Sequence, residues 1–321
     1  MANYGVDVVT DPKIPLLVIH TLSPGHQAQI AERYDLHYAP TAAERTAAIA
    51  TQGERFRAVL TIGSTGLTGQ EMAAMPSLEL VCALGAGFEN IDVEAARARG
   101  ITVATGAGTN DDCVADHAFG LLLGVVRGLR PLDRLVREGV WRTAIPLPPN
   151  VSGKRLGIFG LGAIGQKIAR RAAGFDMPVG YHNRQPRPGV EHRYFDSLEA
   201  LADWCDVLVC ATPGGAATRH RINAGVLNAL GAQGYLVNIS RGSVVDTDAL
   251  AAALREHRIA GAGLDVYESE PAPPEALTGL DNVLLTPHVA GWSPEAVQSS
   301  VDQFLANADG HFSGRGVVAP A

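Results

Sequence analysis

The sequence predicts the α/β fold class, with two doubly wound parallel-sheet domains. Short apolar segments typical of buried strands alternate with segments of helical spacing along nearly the whole chain. Such alternation is typical of parallel sheets that carry helices on both faces. The length of 321 residues also suffices for two domains with separate cores.

The first half of the chain begins this alternation. Strands are predicted at residues 15–19, 36–38, 58–62, 78–83 and 101–104, and helices at residues 27–34, 42–50 and 93–99. This half lacks a glycine-rich nucleotide-binding motif. We expect it to form a domain of its own with a flavodoxin-like sheet.

A long apolar segment follows. Polar residues 109–112 can cap a helix predicted at residues 113–127, which is apolar on nearly every side and is therefore expected to be buried. Residues 128–150 differ, because they contain Trp141 and four prolines. We interpret residues 128–150 as an arm that leaves the compact body and is a candidate for dimerisation. The alternative is a plain surface loop.

A glycine-rich motif opens the second half, between a strand and a helix. Apolar residues 156–159 precede the motif, and a segment of helical spacing follows it. The motif consists of Gly160, Leu161, Gly162, Ala163, Ile164 and Gly165. Gly160 permits a tight turn, Gly162 lets backbone approach a pyrophosphate, and Gly165 lets the helix pack close to the strand. The helix N-terminus also offers N–H groups to phosphates, so the motif predicts dinucleotide binding.

The rest of the second half continues the alternation. Further strands are predicted at residues 178–181, 206–210, 235–239, 260–266 and 282–286, and helices at residues 198–204, 224–230, 247–256 and 294–312. The last helix is expected to pack back on the first domain. The predicted layout is a Rossmann cofactor domain, residues 105–289, inserted into a flavodoxin-like substrate domain formed by residues 1–104 and 290–321.

The residues after the second strand of the Rossmann domain predict which dinucleotide is bound. A carboxylate that binds the ribose hydroxyls of NAD is expected there, but the chain has Asn183, followed by Arg184 and Arg187. A neutral amide beside two guanidinium groups suits a 2′-phosphate, which a carboxylate would repel. We therefore predict that NADP(H) is preferred over NAD(H). The alternative is that both arginines are solvated loop charges.

Composition argues against several other classes of protein. The net charge of −7 disfavours a nucleic-acid or membrane-surface binder, which needs a basic face. No apolar run is long enough to span a membrane, and residues 1–11 lack the basic start of a signal peptide. Cys82, Cys113, Cys205 and Cys210 form no metal-ligand pattern and are expected to be buried thiols. We expect a cytoplasmic protein with no metal site and no nucleic-acid or membrane partner.

Three chemically active side chains follow different predicted strands of the second half. They are Arg241, Glu270 and His288. Because the carboxyl ends of parallel strands meet at one edge of a sheet, these side chains are expected to share a crevice. An arginine can bind a carboxylate in a bidentate fork, and a histidine can protonate a carbonyl oxygen as hydride arrives. The set therefore favours the reduction of a 2-oxo acid.

Several short motifs occur in order along the chain. They are Leu-Gly-Ala-Gly at 84–87, Ala-Asp-His-Ala at 115–118, the glycine motif at 160–165, Asn-Ile-Ser-Arg-Gly at 238–242, Val-Asp at 245–246, Gly-Ala-Gly-Leu-Asp-Val-Tyr-Glu-Ser-Glu-Pro at 261–271 and Leu-Thr-Pro-His at 285–288. Together they resemble the D-isomer-specific 2-hydroxyacid dehydrogenase family and, within it, the glyoxylate/hydroxypyruvate reductase branch. This resemblance covers almost the whole chain. It implies a two-domain enzyme with its active site between the domains, and usually a homodimer.

The resemblance also implies roles for individual residues. Arg241 matches the arginine that binds the substrate carboxylate, Glu270 matches the glutamate that pairs with the catalytic histidine, and His288 matches that histidine. Asp265 matches the residue that holds the nicotinamide carboxamide. The other predicted cofactor-binding residues outside the glycine motif are Asn183, Arg184, Arg187, Thr212, Pro213, Ile239, Arg241, His288 and Gly291. The predicted substrate-binding residues are Leu84, Gly85, Ala86, Gly87, Trp141, Arg241 and His288.

Three assignments leave alternatives open. Glu268 is a rival to Glu270 as the acid beside His288, although it lies two residues short of the family position. His117 has a family counterpart in a buried helix and is expected to pack or cap. Trp141 is expected either to reach the active site of a partner subunit, as in the reductase branch, or only to pack in an interface.

The leading hypothesis is NADPH-dependent reduction of small 2-oxo acids, such as glyoxylate and hydroxypyruvate, to D-2-hydroxy acids. Hydride would reach C2, with His288 as the proton donor. The alternative is a reductase of larger 2-oxo acids, such as 2-ketogluconate or phenylpyruvate. A more distant alternative is a nucleotide-sensing binding protein that resembles the corepressors of this fold, because fold alone does not determine function.

Overall fold

The computed structural model describes residues 12–321, which form two compact units. The first unit contains residues 12–110 together with Pro294–Ala321, and the second unit contains Asp111–Ser293. Both boundaries lie a few residues beyond the predicted ones, because each coincides with the start of a long helix. The expectation about a signal peptide concerns residues 1–11, which lie outside the described part of the chain.

The first unit is built on a parallel sheet of five strands. The strands are β1 (Ile14–Val18), β2 (Tyr34–Tyr38), β3 (Ala58–Thr61), β4 (Leu80–Ala83) and β5 (Thr102–Ala104). Their spatial order is β2-β1-β3-β4-β5, and every neighbouring pair is parallel. This is the flavodoxin-like order, so the predicted sheet type is confirmed.

Helices cover both faces of this sheet. Four of them are α1 (Pro24–Ala31), α2 (Ala42–Gln52), α3 (Gly69–Ala73) and α4 (Val93–Ala98). Thr41 and Thr68 form capping boxes that start α2 and α3. The sequence reading missed α3, which has five residues and is too short to show helical periodicity.

The last helix of the chain, Pro294–Phe312, also belongs to the first unit. Successive side chains of a strand point to opposite faces of its sheet, so Leu16 and Val18 contribute to one core and Leu17 to the other. The last helix packs into the core of Leu16 and Val18, with Phe304 among its buried residues. The expectation that the final helix returns to the first domain is therefore confirmed.

The second unit is built on a parallel sheet of seven strands. The strands are β6 (Leu156–Phe159), β7 (Val179–His182), β8 (Arg193–Tyr194), β9 (Val207–Cys210), β10 (Tyr235–Asn238), β11 (Gly261–Leu264) and β12 (Val283–Leu285). Their order is β12-β11-β10-β9-β6-β7-β8, and every neighbouring pair is parallel. Counted from its own first strand, this is the Rossmann order with one added edge strand, as predicted. The two-residue strand β8 was not predicted from the sequence.

The helices of the second unit agree closely with the predicted ones, with two additions at residues 129–137 and 275–278. They are α5 (Asp111–Val126), α6 (Leu129–Arg137), α7 (Ala163–Ala172), α8 (Leu198–Trp204), α9 (Ala224–Leu230), α10 (Thr247–Arg255) and α11 (Glu275–Thr278), so that the last helix of the chain is α12. Helix α5 is buried along most of its length but not on every side. Asp112 and Asp116 on its outer face form ion pairs with Lys167 and Arg171 of α7.

The predicted arm, residues 128–150, contains a helix that the sequence did not predict. Helix α6 occupies its first half and buries none of its residues. Arg130 donates hydrogen bonds to the carbonyl oxygens of Leu280 and Val283, and Arg134 pairs with Asp281. The sequence reading missed α6 because a proline stands in its first turn and polar residues dominate it, although proline is tolerated at that position.

Two further expectations concern composition. Cys82, Cys205 and Cys210 are buried thiols, as expected, whereas Cys113 is only half-buried. Within residues 12–321, no helix combines the length and the apolar character that a membrane-spanning helix needs.

Candidate active site

Five loops of the second unit leave its sheet at the carboxyl ends of β6, β9, β10, β11 and β12. The strands are parallel, so these loops share the edge where doubly wound sheets bind ligands. The strand order reverses between β6 and β9, and such a reversal creates a crevice for a ligand. Most predicted cofactor-binding and catalytic side chains lie in these loops.

Gly160 and Gly165 bring β6, α7 and the loop after β9 into close contact. Gly160 has a φ of 101°, in the region that favours glycine, and a Cβ there would lie 2.7 Å from the backbone nitrogen of Thr212. A Cβ at Gly165 would lie 2.3 Å from the carbonyl oxygen of Gly160. A side chain at either position would therefore displace backbone.

Gly162 leaves open space in front of helix α7. A Cβ there would meet no atom within 4 Å. Gly162 is the N-cap of α7, and no side chain caps this helix start, so the N–H groups of the first turn keep hydrogen-bonding capacity. The helix dipole favours an anion at the same place. These features fit the pyrophosphate of a dinucleotide.

The loop after β7 is tied to the glycine motif. The Oδ1 atom of Asn183 accepts a hydrogen bond of 2.7 Å from the N–H of Leu161, and the Nη1 atom of Arg187 donates to the Leu161 carbonyl oxygen at 2.9 Å. The N–H of Arg187 donates to the Tyr181 hydroxyl. Asn183 and Arg187 thus support the shape of the phosphate loop, whereas Arg184 is exposed to solvent.

The loop after β10 presents Arg241. Buried Asn238 organises this loop, because its Oδ1 accepts hydrogen bonds from the N–H and the hydroxyl of Ser240. Its Nδ2 donates to the Arg241 carbonyl oxygen at 3.0 Å. The aliphatic stem of Arg241 lies against Gly214, where a Cβ would be 2.8 Å from the arginine Cγ. The base of the arginine side chain is therefore fixed from two sides.

The carboxylate of Asp265, which is 1% exposed, holds the loop that follows β12. Its Oδ1 accepts hydrogen bonds from the hydroxyl of Thr286 at 2.6 Å and from the N–H of Val289 at 2.9 Å. Its Oδ2 accepts one from the N–H of Ala290 at 2.8 Å. The N–H of His288 donates to the Asp265 carbonyl oxygen at 2.8 Å. These bonds hold His288 at a φ of 54°, which is uncommon for a residue other than glycine.

Thr286 and His117 belong to this cluster but were not among the predicted site residues. The Nε2 atom of His117 lies 2.9 Å from the Thr286 hydroxyl oxygen and 3.5 Å from Oδ1 of Asp265. His117 therefore hydrogen-bonds a side chain of the site loop, in place of the expected packing or capping. The signals that could have identified these residues are their positions within the Leu-Thr-Pro-His and Ala-Asp-His-Ala motifs.

His288 and Glu270 form a hydrogen-bonded pair. The Nδ1 atom of His288 lies 2.8 Å from Oε2 of Glu270, with the side chains 46% and 33% exposed. The N–H of Tyr267 donates to Oε1 of Glu270 at 2.7 Å. The Nδ1 atom of His288 is thus occupied by this hydrogen bond, so Nε2 is the ring nitrogen that can contact a ligand.

The pairing of His288 with Glu270 favours the protonated imidazole. The hydrogen bond that His288 makes with the Glu270 carboxylate raises the pKa of His288 above its ordinary value, although burial and the positive charge of Arg241 oppose this. Burial acts to raise the pKa of Glu270, but the hydrogen bonds with His288 and the Tyr267 N–H, aided by the charge of Arg241, hold it below its ordinary value. An imidazole that is protonated near neutral pH can act as a proton donor.

The structure places Glu270, and not its rival Glu268, beside His288. Glu268 instead lies 2.6 Å from His220, and its other carboxylate oxygen accepts hydrogen bonds from Thr247. The two carboxylates are separated by one residue and face different partners.

The remaining predicted residues lie in several places. Leu84, Gly85, Ala86 and Gly87 follow β4 in the first unit, where the N–H of Gly106 donates to the Gly85 carbonyl oxygen. Trp141 follows α6 and is 68% exposed. In the second unit, Thr212 and Pro213 follow β9, Ile239 follows β10, and Gly291 follows the His288 segment. Among residues 12–321, no group of three or more His, Cys, Asp or Glu side chains is arranged to hold a metal ion.

Comparison with known proteins identifies a family and relatives that are similar to this chain. The sequence model described as "D-isomer specific 2-hydroxyacid dehydrogenase, NAD binding domain" matches residues 119–290. The glyoxylate/hydroxypyruvate reductase A HPR2 of Arabidopsis thaliana is 38% identical over 96% of this chain and 98% of its own length. The 2-ketogluconate reductase of Gluconobacter oxydans is 38% identical over the same shares of the two chains.

A solved structure extends the similarity to three dimensions. The NADPH-dependent glyoxylate/hydroxypyruvate reductase of Sinorhizobium meliloti, in complex with NADP and malonate, has a TM-score of 0.88 and 38% identity to this chain. The match covers 96% of this chain and 97% of the other.

Replacement of Gly165 with alanine should destabilise the second unit. The added Cβ would lie 2.3 Å from a backbone oxygen, and such overpacking costs about 1–3 kcal/mol of unfolding free energy. Urea denaturation of Gly165→Ala, compared with Gly174→Ala, measures this. Gly174 is the matched control because a Cβ there meets nothing within 4 Å. Equal stability of the two variants would contradict the close contact of α7 with β6.

Replacement of Glu270 with glutamine should lower the pKa of His288 towards about 6.5. The carboxylate hydrogen bond raises the pKa of His288 in the native protein, and a neutral amide cannot favour the imidazolium in the same way. The NMR titration of the His288 ring protons measures this, with Glu275→Gln at an exposed position as the control.

The raised pKa of His288 also predicts how the stability of the protein depends on pH. A raised native pKa means that protonated His288 stabilises the fold below its unfolded-state pKa, and this contribution disappears as pH rises through the native value. Wild type should therefore lose more stability than Glu270→Gln as pH rises through that range. Parallel losses in the two proteins would speak against the pairing.

Proposed function

The chain belongs to the D-isomer-specific 2-hydroxyacid dehydrogenase family of oxidoreductases, and from this premise we propose that it reduces small 2-oxo acids, such as glyoxylate and hydroxypyruvate, to D-2-hydroxy acids with NADPH. The main support is His288, which is hydrogen-bonded to Glu270, has a raised pKa and is close enough to Arg241 to be influenced by its charge. These groups lie at the same sheet edge as the open N-terminus of α7.

Each residue of this set has a distinct part in the proposed reaction. A bound nicotinamide supplies a hydride to C2 of the 2-oxo acid. The guanidinium of Arg241 binds the substrate carboxylate and polarises the neighbouring carbonyl group. Nε2 of His288 gives its proton to the carbonyl oxygen, so that the C=O group becomes a CH–OH group. Glu270 orients the imidazole through Nδ1 and stabilises its protonated form.

Residues 84–87 of the first unit are also proposed to bind substrate. The backbone N–H groups of residues 85–87 suit the carboxylate of the 2-oxo acid, and the two glycines let that anion approach the backbone closely. In the second unit, Asp265 accepts only one hydrogen bond at Oδ2 from the described residues. That oxygen suits the role proposed for Asp265, which is to accept a hydrogen bond from the nicotinamide carboxamide.

A reductase of larger 2-oxo acids is the second candidate. The observation that favours it is the 38% identity to a 2-ketogluconate reductase, which equals the identity to the plant glyoxylate/hydroxypyruvate reductase. Both candidates use the same catalytic set, because the 2-oxo acid group is common to all these substrates. The two proposals differ only in the space beyond C3 of the substrate.

NADP(H) is the proposed cofactor. Asn183 stands where a carboxylate is expected in an enzyme that prefers NAD, and Arg184 and Arg187 follow it. Arg187 is already hydrogen-bonded to the glycine motif, so the exposed Arg184 is the better candidate for a contact with the 2′-phosphate. The relative solved with NADP supports this proposal.

We also propose that the chain forms a homodimer through residues 128–150. Several large apolar side chains of this segment are exposed, namely Leu129, Val136, Trp141 and Leu147. Exposed apolar patches of this kind mark interaction sites. In such a dimer Trp141 is proposed to contact the substrate bound by the partner.

Turnover with NADPH tests the proposed activity. Wild type should oxidise NADPH in the presence of glyoxylate or hydroxypyruvate, and His288→Ala should lose about 10²–10⁴-fold in kcat because the proton donor is gone. His192→Ala, at a half-buried loop position outside the proposed catalytic set, is the control and should retain activity. The same assay with 2-ketogluconate and phenylpyruvate ranks the substrates by kcat/KM. Absence of turnover with every 2-oxo acid would favour a binding protein.

Replacement of Arg184 with alanine should reduce the preference for NADPH. Loss of one charge-assisted hydrogen bond costs about 1.5–3 kcal/mol, so the ratio of kcat/KM for NADPH to that for NADH should fall roughly tenfold or more. Arg187→Ala is the informative comparison, because it should impair both cofactors through the glycine motif. The proposed preference is wrong if wild type uses NADH equally well or better.

A further inference from the structure

Glu268 joins three segments of the second unit outside the proposed catalytic set. Its Oε1 atom lies 2.6 Å from Nε2 of His220 and 3.8 Å from the guanidinium of Arg219. Its Oε2 atom accepts hydrogen bonds from the N–H of Thr247 at 3.2 Å and from the Thr247 hydroxyl at 2.7 Å. Burial acts to raise the pKa of Glu268, but its hydrogen bonds with His220 and Thr247 hold it below the ordinary value. The ionised carboxylate is thus fully engaged.

The partners of Glu268 are connected to the loop that carries Arg241. The N–H of His220 donates to the carbonyl oxygen of Ser243 at 2.8 Å, and Ile222 pairs with Val245 in a parallel bridge. Ser243 and Val245 follow Arg241 within four residues along the chain. A displacement of the His220 segment would therefore displace the Arg241 loop.

The loops that carry Arg241 and Glu270 also touch directly, at Gly242. A Cβ there would lie 1.9 Å from the carbonyl carbon of Tyr267 and 2.4 Å from the backbone nitrogen of Glu268. Backbone therefore packs on backbone. Such a contact sets how closely the loops approach, but it has little directional preference. Hydrogen bonds are directional, so the bonds of Glu268 determine where one loop lies along the other.

The backbone conformation of His220 also indicates that surrounding contacts hold this segment in place. Its φ is 49°, in the left-handed region that residues other than glycine adopt at an energetic cost. Such a conformation persists where surrounding contacts over-determine it. Here these contacts are the bonds to Ser243 and Glu268.

We propose that Glu268 is a positioning residue, which fixes the loop of Glu270 against the loop of Arg241 and so sets the place of the His288 imidazole relative to the Arg241 guanidinium. This inference rests on the proposed function of those three residues. Glu268 itself contacts none of them, so its effect is transmitted through the two loops.

Three variants test this role: Glu268→Ala, Glu268→Gln, and Thr247→Val, which removes the hydroxyl donor without any change of charge. Each should lower the pKa of His288, measured by NMR titration, because the contact with Glu270 loosens. Each should also reduce kcat/KM, by about 10–100-fold in Glu268→Ala, since misplaced groups slow catalysis to this extent. Glu268→Gln retains the shape of the side chain and one acceptor oxygen. Its losses of His288 pKa and of kcat/KM should therefore be smaller than those of Glu268→Ala.

Glu275→Ala is the matched control, because Glu275 is an exposed glutamate just beyond the same loop. A His288 pKa equal to that of wild type in both Glu268→Ala and Thr247→Val would overturn the proposal. A loss of thermal stability without that pKa change would also overturn it, since the residue would then be merely structural. The NMR titration needs neither substrate nor cofactor. A wild type without turnover would thus refute the proposed function, while the pKa shifts would still report the positioning.

Discussion

A carboxylate buried at the end of β11 holds the following strand's loop in its functional conformation. Asp265 accepts hydrogen bonds from Thr286, Val289 and Ala290, and its carbonyl oxygen accepts one from the N–H of His288. A charged group removed from water is tolerated only when its hydrogen-bonding capacity is used. The requirement to satisfy this carboxylate therefore fixes the loop, and with it the unusual backbone conformation of His288.

Two glutamates of one short segment contact different partners. Glu270 faces His288 and determines its protonation, whereas Glu268 faces His220 and Thr247. Residues at i and i+2 of an extended segment point to opposite sides only when the chain turns between them, and here the Gly242 contact lies against that turn. The same loop therefore places one carboxylate beside His288 and the other beside His220 and Thr247.

The glycine motif shows how absence of side chains builds a binding surface. Neighbouring backbone occupies the space that a side chain would need at Gly160 and Gly165, whereas the space in front of Gly162 is open. Asn183 and Arg187 then hold Leu161 by its N–H and its carbonyl oxygen. The loop is thus shaped by close packing behind it and by hydrogen bonds beside it, so its free N–H groups are already oriented for an anion.

The sequence by itself determined the alternation of strands and helices and both sheet types, and it indicated Arg241, Glu270 and His288 as candidate site residues. It could do so because buried strands and amphipathic helices leave a periodic record and because parallel strands gather their carboxyl ends at one edge. Helix α6 and the two-residue strand β8 were not predicted, since neither is long or apolar enough to show a clear periodic pattern. Only the tertiary structure decided that Asn183 and Arg187 support the glycine motif, that Thr286 and His117 join Asp265, and that Glu268 turns away from His288. These are hydrogen bonds between segments distant in sequence, and their partners depend on side-chain directions that no local pattern encodes.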